Sequence, residues 1–254
     1  MGYQDGRPSD ARFGSIYKFE HACTSIVLII DLENHCIRSV NRESNITTTL
    51  AGQCTHPGFV DGELRQALFT NPTEIVRKPN SQIFFIVDSG RIRELNLVIR
   101  TVSTLTLEVT SIELITVGFD GYLYFLNSTA ISRLNMTTTE IEPVISTLNS
   151  NQSSIPTQAH WCDLVVVSTD VVIASDNASD TLLLLNLTDK SSSAICAKDY
   201  NISGDDDETS CGVVAPCQLL LSEDMKTLLV GTSEGIVQLQ ISGKACRQHD
   251  LSLG

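Results

Sequence analysis

Two stretches of this chain, 56 residues apart, carry the same residues in the same order. Asp5-Gly6, Ala11 and Phe13 line up with Asp61-Gly62, Ala67 and Phe69. Each set is followed by an apolar run ending in aspartate, Ile26 to Asp31 (IVLIID) and Ile83 to Asp88 (IFFIVD), then by Ile37-Arg38 or Ile92-Arg93, and finally by Thr49-Leu50 or Thr104-Leu105. A repeat of this length is one supersecondary unit that stacks on its neighbours, so the chain is a repeat architecture before it is anything else. The runs are short, β-branched or aromatic, and bounded by Asp, Asn, Gly and Pro, and no segment shows sustained helical periodicity with caps. The unit is therefore built of strands.

The order of residues resembles NHL-repeat β-propellers. Asn34-His35-Cys36-Ile37-Arg38 and Thr49-Leu50-Ala51-Gly52 carry the likeness, which weakens in the second repeat, where Ser89-Gly90 and Thr106-Leu107 replace the expected pairs, and fades beyond residue 107. The resemblance implies an all-β propeller of four-stranded antiparallel blades, with His35 and Arg38 bracing a turn between strands. Strands that are apolar throughout, such as Ile26 to Ile30, suit blades covered on both faces. Further hairpins fall at 112–134, 164–187 and 218–241. Five blades are thus readable (roughly 11–52, 64–107, 108–147, 160–197 and 214–246) in one domain over 1–254, forming a five- or six-bladed ring.

Cysteine and asparagine speak to compartment. The eight cysteines, Cys23, Cys36, Cys54, Cys162, Cys196, Cys211, Cys217 and Cys246, form no CxxC pair of the zinc-binding kind and are read as disulfide partners. Cys23 and Cys36 flank one hairpin and are expected to pair, with Cys196 or Cys211 tying down the acidic run Asp205 to Glu208. Of 13 asparagines, seven stand in glycosylation sequons: Asn45, Asn127, Asn135, Asn151, Asn177, Asn186 and Asn201. Chance would supply about three. An extracellular or cell-surface glycoprotein is expected. Residues 2–6 lack the apolar run of a signal peptide, so the reading is a mature piece or a domain cut from a longer secreted or cell-surface protein.

Charge excludes one class of partner. The net charge of −13 opposes phosphate backbones, so nucleic acid is not an expected partner, and no apolar run approaches the ~20 residues of a membrane span. Residues 1–100 hold eleven basic and eleven acidic side chains, so the whole excess lies after residue 100.

Candidate chemistry is sparse. His21, His56, His160 and His249 lie singly, the acidic run lacks the alternating ligands of a calcium loop, and no nucleophile elbow or phosphate loop appears. The expectation is a non-enzymatic recognition module, without cofactor or metal, presenting loops to a protein or glycoconjugate. The alternative is a metal-dependent propeller enzyme, resembling amidating lyases or lactonases, with its site in an axial channel. Because six sequons and the excess charge follow residue 100, docking is expected on the first two blades, through Arg7, Arg12, Phe59 and Arg65, residue types common at binding hot spots.

Overall fold

The computed structural model describes residues 2–105, 111–127, 130–146, 160–197, 215–222, 226–233, 235–242 and 245–250. They form an all-β fold of five antiparallel blades, as expected of a β-propeller, with the four strands of every blade in sequence order and a short extra strand on the outer edge of blade two. Blade one is β1 (Ile16–His21), β2 (Ile26–Asp31), β3 (Cys36–Asn41) and β4 (Ile46–Ala51). A short β5 (Gly62–Glu63) precedes blade two, which is β6 (Pro72–Arg77), β7 (Ile83–Asp88), β8 (Arg91–Asn96) and β9 (Thr101–Thr104). Blade three is β10 (Leu114–Val117), β11 (Tyr122–Asn127), β12 (Ala130–Asn135) and β13 (Ile141–Ser146). Blade four is β14 (Trp161–Ser168), β15 (Val171–Asp176), β16 (Thr181–Asn186) and β17 (Ser192–Ala197). Blade five is β18 (Gln218–Leu221), β19 (Thr227–Thr232), β20 (Gly235–Ser242) and β21 (Ala245–Asp250). Among the described residues there is no helix long and apolar enough to cross a membrane.

The chain folds as two compact units, Met1–Ile115 and Thr116–Gly254. In the first, the facing surfaces of blades one and two bury Leu28, Ile30, Ile37, Phe69, Phe84, Ile86 and Leu95 in one core. In the second, Ile173 and Leu182 of blade four pack with Leu219, Leu228, Val230 and Leu239 of blade five. The second strands of blades two, three and four are buried from their second residue to at least their fifth. That is the physical reason their sequences are apolar throughout rather than alternating.

The turns repeat more faithfully than the sequence does. Asn41, Asn96, Asn135 and Asn186 each end the third strand of their blade, and each Oδ1 accepts the N–H groups two and three residues on. Four residues after each, the chain takes a left-handed conformation, at Asn45, Arg100, Thr139 and Lys190. The side-chain amide thus closes the hairpin where no glycine is available.

One expected disulfide is corrected. Cys36 is bonded to Cys54, not to Cys23, which is a free, exposed thiol. Cys23 lies in the turn before β2 and Cys36 starts β3 beyond its far end, so the six residues of β2 hold them roughly 17 Å apart. Antiparallel pairing instead sets Ile37 opposite Ala51. Gly52, at φ 87°, then turns the chain back, and the Thr55 N–H reaches the Asn34 carbonyl at 2.8 Å, which brings Cys54 beside Cys36. Cys211 lies outside the described residues, as do the acidic run, Asn151, Asn201 and the side chains of Cys196 and Cys246.

Candidate functional site

The loops leading into blades one and two are built around a buried arginine each. Arg38 is fully buried in β3. Its Nη1 donates to Asp31 Oδ2 at 3.0 Å and to the Arg12 carbonyl at 3.0 Å, and its Nη2 donates to Asp5 Oδ1 and the Gln4 carbonyl, each at 2.8 Å. The rings of Tyr3 and Phe13 lie 4.9 and 4.7 Å from the guanidinium carbon. Arg93 in β8 repeats the arrangement, with Nη1 on Asp88 Oδ2 and the Leu68 carbonyl, and Nη2 on Asp61 Oδ1 and the Val60 carbonyl. Phe59 and Phe69 lie at 4.6 and 4.8 Å. The Arg38–Asp31 and Arg93–Asp88 pairs are fully buried, whereas Asp5 and Asp61 face solvent in part, and each guanidinium also has carbonyl acceptors, the condition under which a buried charge is tolerated.

The repeated motif residues each have a place in this arrangement. The aspartate of Asp-Gly reaches the outermost strand as well as the arginine: Asp5 Oδ2 accepts the Thr49 N–H at 2.9 Å, and Asp61 Oδ2 accepts that of Thr104 at 2.8 Å. In blade one, a register shift beside Arg38 accompanies this, the signature of a bulge that re-aims backbone groups. Gly6 and Gly62, at φ 145° and 150°, let the loop lie against that strand, pairing with Thr47 and Val102. The aspartate at the end of the second strand holds the entry to the first: Asp31 accepts from Gly14, Asp88 from Thr70 and Asn71. Blade four keeps this last contact, Asp176 accepting the His160 N–H at 2.8 Å, but Leu183 stands where arginine would be.

Asp61 shows the electrostatic result. Burial raises its pKa, but the Thr104 N–H and hydroxyl and the Arg93 guanidinium outweigh it and hold the carboxyl below its ordinary range. A carboxylate depressed by folding stabilises the native state fully above the ordinary range, and loses that contribution as pH falls toward the folded value. The acid limb of stability against pH, measured for Asp61→Asn, should therefore be flatter than for the parent chain.

Of the residues expected to bind a partner, Arg7 and Arg12 are exposed. Arg12 folds its guanidinium onto the carbonyls of Ser9 and Ala11. Phe59 is half-buried against Arg91 and Arg93, and Arg65, though exposed, donates to the Thr49 carbonyl. His35 bridges blades one and two, its Nδ1 2.7 Å from the Thr70 carbonyl. Among the described residues, no group of three or more His, Cys, Asp and Glu side chains is placed to hold a metal ion.

Two features of the second unit had no counterpart in the motifs. A cavity of about 260 Å³ between blades three and four is lined by Arg133, Glu142, Asp170, Thr188 and Lys190, among others. Its polar groups largely answer one another, Arg133 to Glu142 at 2.8 Å and Thr188 to Asp170 at 2.9 Å. Cys162 and Cys217 face each other with sulfurs 3.1 Å apart.

No protein-family model matches the sequence, and no curated protein matches it. Solved structures do match in fold. A protein of unknown function from Bacteroides thetaiotaomicron superposes with a TM-score of 0.67 at 15% identity, over 94% of this chain and 58% of that one. A streptogramin B lyase gives 0.62 at 11% identity, over 98% and 73% of the two chains. A chain of the nidogen/laminin complex gives 0.61 at 13% identity, over 92% and 78%. The present chain thus spans under two thirds of the Bacteroides protein's length, and what these likenesses establish is a β-propeller fold.

Proposed function

We propose that this chain is a non-enzymatic extracellular recognition module of NHL-like blades, forming a single propeller domain of a longer secreted protein, that docks a protein partner through its first two blades. One observation carries the reading. Among the described residues, eight of the eleven large apolar side chains left exposed precede residue 116, including Ile16, Tyr17 and Phe19 on β1 and Val98 and Ile99 on the β8–β9 turn. Exposed apolar groups that gather on one strand or turn, as Ile16, Tyr17 and Phe19 do on β1, are what an interaction surface offers, whereas single ones are ordinary. The same unit holds a single sequon, Asn45, which occupies an exposed turn, whereas Asn127, Asn135, Asn177 and Asn186 all lie in the second unit. Glycans there would resist close packing and leave the first unit open. The Cys36–Cys54 bond accords with an oxidising compartment. That one structure of similar fold is a chain of the nidogen/laminin complex agrees with a protein partner.

The test uses the full glycosylated chain, fluorescently labelled, binding to intact cells and to deposited matrix. Arg7→Glu with Arg12→Glu, combined with Phe19→Ser, should weaken binding at least tenfold while thermal unfolding stays within a few degrees. Unchanged binding, or equal loss on Lys190→Glu in the second unit, would reject the docking surface. A stoichiometric metal in elemental analysis, together with turnover of a lactone or a streptogramin, would replace this reading with an enzyme.

A further inference from the structure

We propose that Cys162 and Cys217 form a second disulfide, which staples blade four to blade five. Cys162 sits in β14 at a register shift, where Trp161 pairs with Asp176 and Asp163 with Ser175, leaving Cys162 as the extra residue of a bulge. Cys217 immediately precedes β18, and its N–H donates to the Gly231 carbonyl of β19 at 2.9 Å. The two backbones are held together by an independent bond, the Leu219 N–H donating to Asp163 Oδ2 at 2.9 Å. Between these anchors the sulfurs stand 3.1 Å apart. A disulfide needs about 2.05 Å, so roughly 1 Å of sulfur movement closes the bond, within reach of a side-chain rotation that leaves both strands in place.

The chemistry runs from the exposed partner inward. Cys217 is exposed and Cys162 half-buried. Burial, and then the neighbouring Cys217, push the Cys162 thiol up to about 12, so it is a poor first nucleophile. The oxidant is an external disulfide of the glutathione or dithiol-oxidase class. The Cys217 thiolate attacks one of its sulfurs, forming a mixed disulfide and releasing one thiolate. Cys162 then gives up its proton and attacks the Cys217 sulfur, releasing the second thiolate. Two protein thiols and one external disulfide become one protein disulfide and two external thiols, with no other reactant. With Cys36–Cys54 also assigned, Cys23, Cys196, Cys211 and Cys246 remain, and four cysteines allow three pairings in place of the 105 open to eight.

The test equilibrates the full chain with mixed oxidised and reduced glutathione, alkylates it under denaturing conditions, and maps the unreduced peptides by mass spectrometry. A peptide pair joined through Cys162 and Cys217, two hydrogens lighter than its parts and released by reductant, is the expected result, alongside the Cys36–Cys54 pair. Alkylation of both residues, or either one joined to another cysteine, would overturn the proposal. The single variants check the order of attack. Without reductant, in the native state, Cys162 in Cys217→Ala should alkylate more slowly than Cys217 in Cys162→Ala, because its burial persists when its neighbour is removed, and a faster Cys162 would refute that order.

Discussion

Replacing Arg38 with alanine should destabilise the first unit by about 3–5 kcal/mol, the usual cost of breaking a buried ion pair by removing one partner. The size follows from what is stranded. Asp31 is wholly buried and would keep the Gly14 N–H and the Asn34 amide but lose its cation. The carbonyls of Gln4 and Arg12 would lose their donor as well, so the loop over residues 4–12 would no longer be tied to β3. Lysine should recover only part of the loss, because an ammonium cannot serve Asp5, Asp31 and two carbonyls from one plane. Arg93→Ala should behave alike, since its partners in blade two are equivalent. Urea unfolding, with hydrogen exchange at the Gly6 and Arg12 amides, reads both effects. A loss under 1 kcal/mol with protection intact would mean that the loops are held by their aromatic residues instead.

Removing the Cys36–Cys54 bond should cost about 3 kcal/mol, the chain-entropy value for a loop of this size. Its sequence separation is 18, so the bond encloses the β3–β4 hairpin and nothing else. Alanine is the replacement of choice, because both sites are buried and alanine brings no polar group into them. The expected observation is a lower urea midpoint for Cys36→Ala with Cys54→Ala, in the absence of reductant. An unchanged midpoint would show that strand pairing alone closes the hairpin in the unfolded ensemble.

Much of the first unit is legible residue by residue. The paired Asp31 and Asp88, Arg38 and Arg93, and Thr49 and Thr104 recur because each blade must solve the same problem, fastening an entry loop across the ends of its strands. The disulfide was not legible from hairpin flanks, since the two ends of β2 lie far apart. The signal that finds it is antiparallel adjacency, which returns the residues after β4 to the start of β3. The Asn-closed hairpins were half hidden, because Asn135 and Asn186 read as sequons and nothing local to Asn41 and Asn96 links them to those two. Only their common spacing to a left-handed residue unites them.

By itself the sequence determined the fold class, five blades and the identity of the repeated polar residues, because strand periodicity and turn chemistry are local properties. Tertiary structure alone decided what those residues touch. Phe59 proved to be stacking against two arginines and Arg65 to be tied to the neighbouring blade's Thr49 carbonyl, whereas Arg7 and Arg12 stay at the surface. It likewise brought Cys162 to Cys217 across 55 residues. Contacts between residues so far apart depend on how one blade packs against the next, and that packing is set by the summed burial of many side chains rather than by any motif.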